Sequence, residues 1–359
     1  MVGLTGLLRF AFVLACSLAA AAGCERREST KGSASGPSAA TGPAGEAKVV
    51  FIPKSKGIPY YESMYPEFER ASKELGAEFR VAGPAKTDTT SQIPIIKDQV
   101  QQGVDVILLA PNSADALNQE LDAARARGVK IISVNQDMPG SEAHRDACVL
   151  PVDFDKVGPS QIELLGSLIN YEGKFAILSA TTDAPDQNYW IAGMKKALED
   201  PKYAKMQLVD TVFGDDKPEK SRKEADGLLT KHPDLRGILA PTSVGVEQAA
   251  KAVQSRGVYP GGANASGGGV VVTGLGIPNQ MRGYLKDGII QKVALWDPPR
   301  EAYVAAHLAI GLAKGTIQLG EGNEFAVPQL GPFQFGRNNI VITGEPLVFT
   351  KDNVDQYHF

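Results

Sequence analysis

The chain has 359 residues and a formal net charge of −4, from 37 Lys and Arg against 41 Asp and Glu. This length corresponds to two or three domains, and a composition of 43% hydrophobic and 22% charged residues excludes a wholly disordered chain. The slightly acidic balance argues against a dedicated nucleic-acid binder, which needs basic residues to neutralise phosphates. Three cysteines are too few for a disulfide scaffold or a multi-cysteine metal centre.

The N-terminal segment has the pattern of an export signal. Residues 4–22 are almost entirely apolar and end in small residues just before Cys24. This pattern predicts a signal peptide over residues 1–23, with Cys24 as the lipid-modified residue of a bacterial lipobox. Two alternatives stay open, because a second lipobox-like string ends at Cys16 and the apolar segment also fits a membrane-spanning helix.

The next segment, residues 24–47, consists mainly of Gly, Ser, Ala, Pro and charged residues. Such a composition lacks the large apolar side chains of a core. We therefore expect a lipid anchor at its start, followed by a flexible linker. Cys148 is then the one unmodified cysteine, and a buried, unreactive thiol is the favoured interpretation.

From Lys48 onward, short apolar runs alternate with segments of helical period. The first series predicts strands over residues 48–53, 78–82, 105–110 and 130–135, and helices over 60–75, 91–102 and 114–127. The second series predicts strands over residues 174–180, 206–213, 237–240, 270–274 and 291–296, and helices over 187–198, 217–231, 244–256 and 279–286. This alternation is typical of βαβ units with parallel sheets.

The two series also resemble each other in sequence. Residues 105–135 and 236–260 share a strand, an Ala-Pro-polar-Ser turn, an Ala-rich helix and an Arg-Gly helix end. A duplication of this kind predicts two similar α/β lobes.

Ligands of open α/β sheets bind beyond the carboxyl ends of the strands. The candidate binding residues at or near those ends are Lys54, Tyr60, Tyr61, Asn112, Asn135, Asp137, Asp186, Gln187, Trp190, Pro241, Thr242, Ser243, Trp296 and Asp297. Carboxylates and amides pair with hydroxyl groups, and aromatic faces cover the C–H faces of a sugar ring. The set therefore suits a neutral, polyhydroxylated ligand.

Motifs for catalysis or cofactor binding are absent from the sequence. It contains no GxxxxGK[ST], HExxH, GxSxG or CxxC, and its four histidines are scattered. We therefore expect no cofactor, no metal and no catalytic residue. An enzyme stays open as an alternative, because two carboxylates from distant loops can act as an acid–base pair.

Several longer strings resemble type I periplasmic sugar-binding proteins of ABC importers, above all the rhamnose-binding proteins and the related autoinducer-2 receptor. The resemblance covers about residues 48–359 and is carried by VVFIPK, QQGVDVILLAPN, ARGVKII, DQNYW, HPDLRGILAPTSVG, VVVTGLGIPNQMRGYLKDG and VALWDP. It implies two doubly wound parallel-sheet lobes, joined by a multi-strand hinge, that close on a ligand.

The resemblance also implies roles for individual residues. Lys54 stands at the family's ligand lysine, Tyr60 and Tyr61 where relatives place stacking aromatics, Asp186 and Gln187 at an Asp-Gln pair, and Pro241 at a backbone contact. Two positions depart from the autoinducer receptor: Asn135 replaces an Asp that bonds ligand hydroxyls, and Ser243 replaces an Ala. Asp137 is a candidate for the missing carboxylate.

The resemblance implies an N-terminal lobe over residues 48–152 plus about 297–325, and a C-terminal lobe over 153–296 plus the C-terminal tail. Chain crossings are expected near residues 151–155, near 293–298 and within 325–345. The expected protein is a monomeric, periplasmic lipoprotein that is not an enzyme, binds rhamnose or a similar deoxy-sugar and meets an importer permease. An autoinducer-2 type receptor is the alternative, followed by a sugar-processing enzyme.

Overall fold

The computed structural model describes residues 46–359, so the predicted signal peptide and both candidate lipidation sites, Cys16 and Cys24, lie outside the described residues. The strands of the described part are β1 (Ala47–Ile52), β2 (Ala77–Val81), β3 (Val106–Leu109), β4 (Lys130–Val134), β5 (Ala147–Leu150), β6 (Glu172–Ser179), β7 (Lys205–Phe213), β8 (Leu235–Ala240), β9 (Val271–Gly274), β10 (Val293–Leu295), β11 (Glu324–Val327), β12 (Gly331–Gln334), β13 (Ile340–Ile342) and β14 (Leu347–Phe349).

The α-helices are α1 (Pro59–Glu62), α2 (Tyr65–Leu75), α3 (Ile93–Gln101), α4 (Asn118–Ala126), α5 (Phe154–Ile169), α6 (Pro185–Ala197), α7 (Pro218–Lys231), α8 (Ser243–Arg256), α9 (Pro278–Lys286) and α10 (Pro298–Ala313). Within residues 46–359, none of the helices combines the length and the apolar character that a membrane crossing requires.

Six parallel strands form the first sheet, in the order β13-β5-β4-β3-β1-β2. Alternate residues of β1 face opposite layers: Val49 and Phe51 pack with residues of α2 and α10, whereas Val50 and Ile52 pack with residues of α3 and α4. Because helices cover both faces, all four residues of β3 are buried, as is typical of a parallel sheet. We call this sheet with α1–α4 and α10 the first lobe.

Four parallel strands form the second sheet, in the order β7-β6-β8-β9. A parallel bridge between Leu275 and Ala294 attaches β10, which pairs antiparallel with β14. Helix α5 packs against α6, and α7 packs against α8. We call this sheet with α5–α9 and β10 the second lobe.

Within residues 46–359, the chain passes between the two lobes three times. The crossings lie between β5 and α5, between β10 and α10, and between β13 and β14. Aspartates cap the helices that follow the first two crossings: Asp153 accepts a hydrogen bond from the N–H of Asp155, and Asp297 accepts one from the N–H of Arg300. The C-terminal tail, which the sequence assigned to one lobe, contributes β13 to the first sheet and β14 to the antiparallel pair with β10.

The predicted fold class, two parallel-sheet α/β lobes, is confirmed. The predicted helix over residues 60–75 is divided, however, into α1 and α2 with a break at Ser63 and Met64. Pro66 explains the break, because proline lacks an N–H and its ring clashes with the carbonyl four residues earlier in a continuous helix. Strands β5 and β11–β14 were not predicted; each has three or four residues, too few for a clear periodic signal.

Candidate ligand-binding site

A narrow cavity of about 40 Å³ lies between the two lobes at the carboxyl ends of their strands. Its lining residues from the first lobe are Lys54, Ile58, Tyr60, Tyr61 and Asn135. Those from the second lobe are Asp186, Gln187, Trp190, Asp216, Pro241, Thr242, Ser243, Leu275, Leu295 and Trp296.

An ion pair spans the cavity from one lobe to the other. Lys54 follows β1, Asp186 lies in the first turn of α6, and the Lys54 Nζ is 2.8 Å from both carboxylate oxygens. Asn112 stabilises the loop after β1 that carries Lys54, which we call the lysine loop, because its Nδ2 donates to the Lys54 carbonyl at 2.9 Å. Both side chains of the pair are buried. Burial disfavours an isolated charge, so the lysine and the carboxylate each compensate the charge of the other.

Hydrogen bonds hold the polar side chains of the second lobe in fixed orientations. Gln187 accepts from Ser179 Oγ at 3.1 Å and donates from Nε2 to the carbonyl of Pro241 at 2.6 Å. Thr242 Oγ1 donates to Asp216. Burial raises the pKa of Asp216, and the positive charge of Lys54 opposes that rise.

Aromatic side chains form one wall of the cavity. Trp190 and Trp296 meet edge to face with ring centroids 5.5 Å apart, and Tyr60 meets Trp296 in the same manner at 6.3 Å. Burial raises the pKa of the Tyr60 and Tyr61 hydroxyls well above the usual range, so both keep their protons at neutral pH. The wall therefore offers apolar ring edges together with neutral hydroxyl groups.

Two buried polar atoms at the cavity have no partner among the described residues. They are the amide oxygen of Asn135, an acceptor, and the indole Nε1 of Trp190, a donor. The other end of the Asn135 amide donates to the Tyr61 hydroxyl at 3.4 Å. An unpaired buried polar atom costs free energy, so these two atoms favour a ligand with both donors and acceptors.

Eleven of the fourteen predicted binding residues line the cavity, and Asn112, Asp137 and Asp297 do not. Asn112 contacts the lysine loop instead, through the hydrogen bond to the Lys54 carbonyl. Asp137 does not replace the missing carboxylate, because Arg145 Nε donates to its Oδ1 at 2.5 Å. Asp297 caps α10 through the N–H of Arg300 at 2.9 Å.

Four lining residues were missing from the predicted set. Asp216 belongs to the loop after β7, so the strand-end rule that selected the other residues also applies to it. Ile58, Leu275 and Leu295 are apolar, and the search for polar strand-end residues passed over them. Within residues 46–359, no cluster of three or more His, Cys, Asp or Glu side chains is placed to hold a metal ion.

The family profile of the periplasmic binding protein domain matches residues 49–317. This chain belongs to that family. The match includes the strands of both sheets that border the cavity, and the family implies a periplasmic location. The resemblance inferred from the sequence strings is thereby confirmed.

Solved structures of sugar-transport proteins share this fold. A sugar ABC transporter protein from Actinomyces odontolyticus is 36% identical, with 87% of this chain and 98% of that chain covered and a TM-score of 0.68. A solute-binding protein of an ABC transporter from Clostridium phytofermentas with bound L-rhamnose is 28% identical, with coverages of 88% and 98% and a TM-score of 0.81. LsrB from Clostridium saccharobutylicum in complex with AI-2 is 25% identical, with coverages of 87% and 100% and a TM-score of 0.81.

Proposed function

We propose that this chain is the substrate-binding protein of an ABC-type sugar importer and holds one monosaccharide, rhamnose or a similar deoxy-sugar, between its lobes. The observation that carries the proposal is the cavity at the strand ends, where the buried Lys54–Asp186 pair meets an aromatic wall. Fixed acceptors and donors suit ring hydroxyls, and the indole and phenol rings suit the C–H face of a sugar.

The mechanism is closure of the two lobes around three chain crossings. Contacts from both sides, such as Lys54 and Asp186, favour the arrangement in which the lobes meet. A ligand that touches both lobes adds free energy to the closed form alone and shifts the population towards it. An importer permease then recognises the closed surface.

We further propose that the protein is a monomeric lipoprotein anchored through Cys24, with residues 25–47 as the tether. A tether of this kind keeps the binder near the permease and raises its effective concentration there. Metabolic labelling with a fatty-acid probe tests the anchor: the label is expected on the wild type and on Cys16→Ser, and is lost from Cys24→Ser. Labelling that depends on Cys16 instead contradicts the assignment.

A thermal-shift screen of the purified protein tests the cargo. Rhamnose, fucose, ribose, xylose and autoinducer-2 are added separately, and a ligand at about 100 times its Kd stabilises the protein by about 2.7 kcal/mol. We expect stabilisation by rhamnose or a related deoxy-sugar, with the sugar recovered unchanged by chromatography. Consumption of the sugar indicates an enzyme instead, and absence of any shift contradicts the assigned cargo.

The second candidate is a receptor for an autoinducer-2 type signal. The similarity to LsrB and the presence of Lys54, Asp186, Gln187 and Pro241 on one cavity favour it. Stabilisation by autoinducer-2 and by none of the sugars in the screen is the result that selects this alternative.

A further inference from the structure

Glu301 is a carboxyl with no exposed surface that lies outside the cavity lining, in the first turn of α10. Its Oε2 accepts a hydrogen bond of 2.8 Å from the hydroxyl of Tyr60, which does line the cavity. Helix α10 follows the second chain crossing directly. The carboxyl therefore lies on the far side of Tyr60 from the cavity and next to the second chain crossing.

The Tyr60 hydroxyl also forms a bond between the lobes. The indole Nε1 of Trp296, next to β10 in the second lobe, donates to it at 2.5 Å. A phenol has a single hydrogen, so donation to Glu301 directs the oxygen lone pairs elsewhere and leaves them free to accept from Trp296. A Tyr60 hydroxyl without its Glu301 acceptor is free to turn its hydrogen towards the indole N–H, which is also a donor.

We propose that Glu301 is a positioning residue that sets the direction of the Tyr60 hydroxyl and thereby favours the cross-lobe bond to Trp296 in the closed form. The consequence for affinity rests on the proposed function, because closure of the lobes is what retains a sugar. The assignment of Glu301 itself rests on the chain of Trp296, Tyr60 and Glu301.

Among the residues that the structure describes, no cation faces Glu301. The groups that face it are Tyr60 and Tyr61 on α1, the backbone N–H of Asn135 after β4, Cys148 on β5 and Asp297 at the start of α10. Burial raises the pKa of Glu301 to about 8, so the carboxyl is neutral at pH 7. A neutral carboxyl accepts from Tyr60 without placing a net charge at the hinge, and glutamine reproduces that acceptor.

The experiment compares Glu301→Gln with Glu301→Leu, and uses His307→Leu as a control for a changed buried side chain elsewhere on α10. The chain has two tryptophans, so Trp190→Phe identifies the Trp296 indole signal in a 15N NMR spectrum. Hydrogen exchange of that indole N–H is measured for each variant, with and without L-rhamnose. Rhamnose affinity is then measured at pH 7.

We expect exchange in Glu301→Leu to be about 10-fold faster than in the wild type, and affinity at pH 7 to fall by a factor of about 2–10. Glu301→Gln and His307→Leu are expected to retain both values.

Unchanged indole exchange in Glu301→Leu overturns the positioning role. An equal increase in exchange in His307→Leu also overturns it, because it would indicate that any change in the buried face of α10 destabilises the helix packing. Failure of the wild type to bind any sugar contradicts the proposed function instead. The indole exchange still decides the role of Glu301 in that case, because its comparison among variants requires no ligand.

Discussion

Lys54 Nζ lies 2.8 Å from both carboxylate oxygens of Asp186, and this buried pair joins the lysine loop after β1 to the first turn of α6 in the other lobe. The lysine neutralises the carboxylate, whose oxygens have further lone pairs for ligand hydroxyls. The same pair therefore contributes both to lobe closure and to the polar surface of the cavity.

Asp186→Ala is expected to lower the affinity for the bound sugar by about 1.5–3 kcal/mol, because buried ligand hydroxyls lose a charged acceptor. Lys54 is left without its carboxylate in the same variant. Isothermal titration calorimetry measures the change, with Asp183→Ala as a control because that carboxylate is exposed three residues earlier. Equal affinities of Asp186→Ala and the wild type contradict the site.

Asn135→Gly tests the unpartnered amide oxygen at the cavity. Asn135 has a φ of 69°, which glycine adopts readily, so the substitution removes the side chain without straining the backbone. We expect affinity to fall by a factor of about 2–10, the value of one hydrogen bond to the ligand. Asn170→Gly is the matched control, since Asn170 has a φ of 56° at the exposed end of α5. A loss of affinity in both variants, or in neither, contradicts a ligand contact at Asn135.

Glu301 makes the stability of the protein depend on pH. Burial raises its folded-state pKa to about 8 from an ordinary value of 4.5, so between these values the native state holds a proton that the unfolded state releases. The free energy of unfolding therefore falls as pH rises through this window, by up to about 1.4 kcal/mol per pH unit from this group.

Glu301→Gln is expected to remove this pH dependence. The free energy of unfolding of the variant minus that of the wild type should therefore increase from pH 5 to pH 8. Urea unfolding at unit pH intervals measures it, with Glu219→Gln as an exposed carboxyl control. Parallel stability curves for the wild type and Glu301→Gln rule out a titrating buried Glu301.

Close packing of α5 on α6 holds Trp190 and Asp186 in place. A Cβ atom added to Gly158 meets the backbone of Trp190, Gly193 and Met194 at 2.7 Å, so Gly158→Ala is expected to destabilise the protein by about 1–3 kcal/mol. Gly227→Ala in α7 meets nothing within 4 Å and is expected to stabilise by about 0.5–1 kcal/mol. Thermal unfolding of both variants measures the contrast, and equal shifts would contradict the tight helix contact.

The fold was largely predictable because parallel strands that are buried on both faces appear in the sequence as short apolar runs, as in β3. Lys54, Asp186 and Pro241 were predictable cavity residues since each follows such a strand. The sequence also contained the signal for the break between α1 and α2, because Pro66 disfavours a continuous helix.

The rest depends on side-chain directions that spacing does not specify. Asp137 follows β4 but pairs with Arg145, whose guanidinium reaches it from a loop eight residues later. Glu301 lies one helical turn inside α10, so the strand-end rule does not apply to it. Its role depends on Tyr60, 241 residues earlier in the chain.

Titration of the wild type with L-rhamnose by isothermal calorimetry, beside Asp186→Ala and Asp183→Ala, tests the central claim most directly. The account predicts saturable binding of one sugar per chain to the wild type and to Asp183→Ala, with the loss confined to Asp186→Ala. Absence of binding heat in all three proteins with rhamnose and related deoxy-sugars would contradict a monosaccharide site between the lobes. Equal affinities of Asp186→Ala and the wild type would contradict it as well.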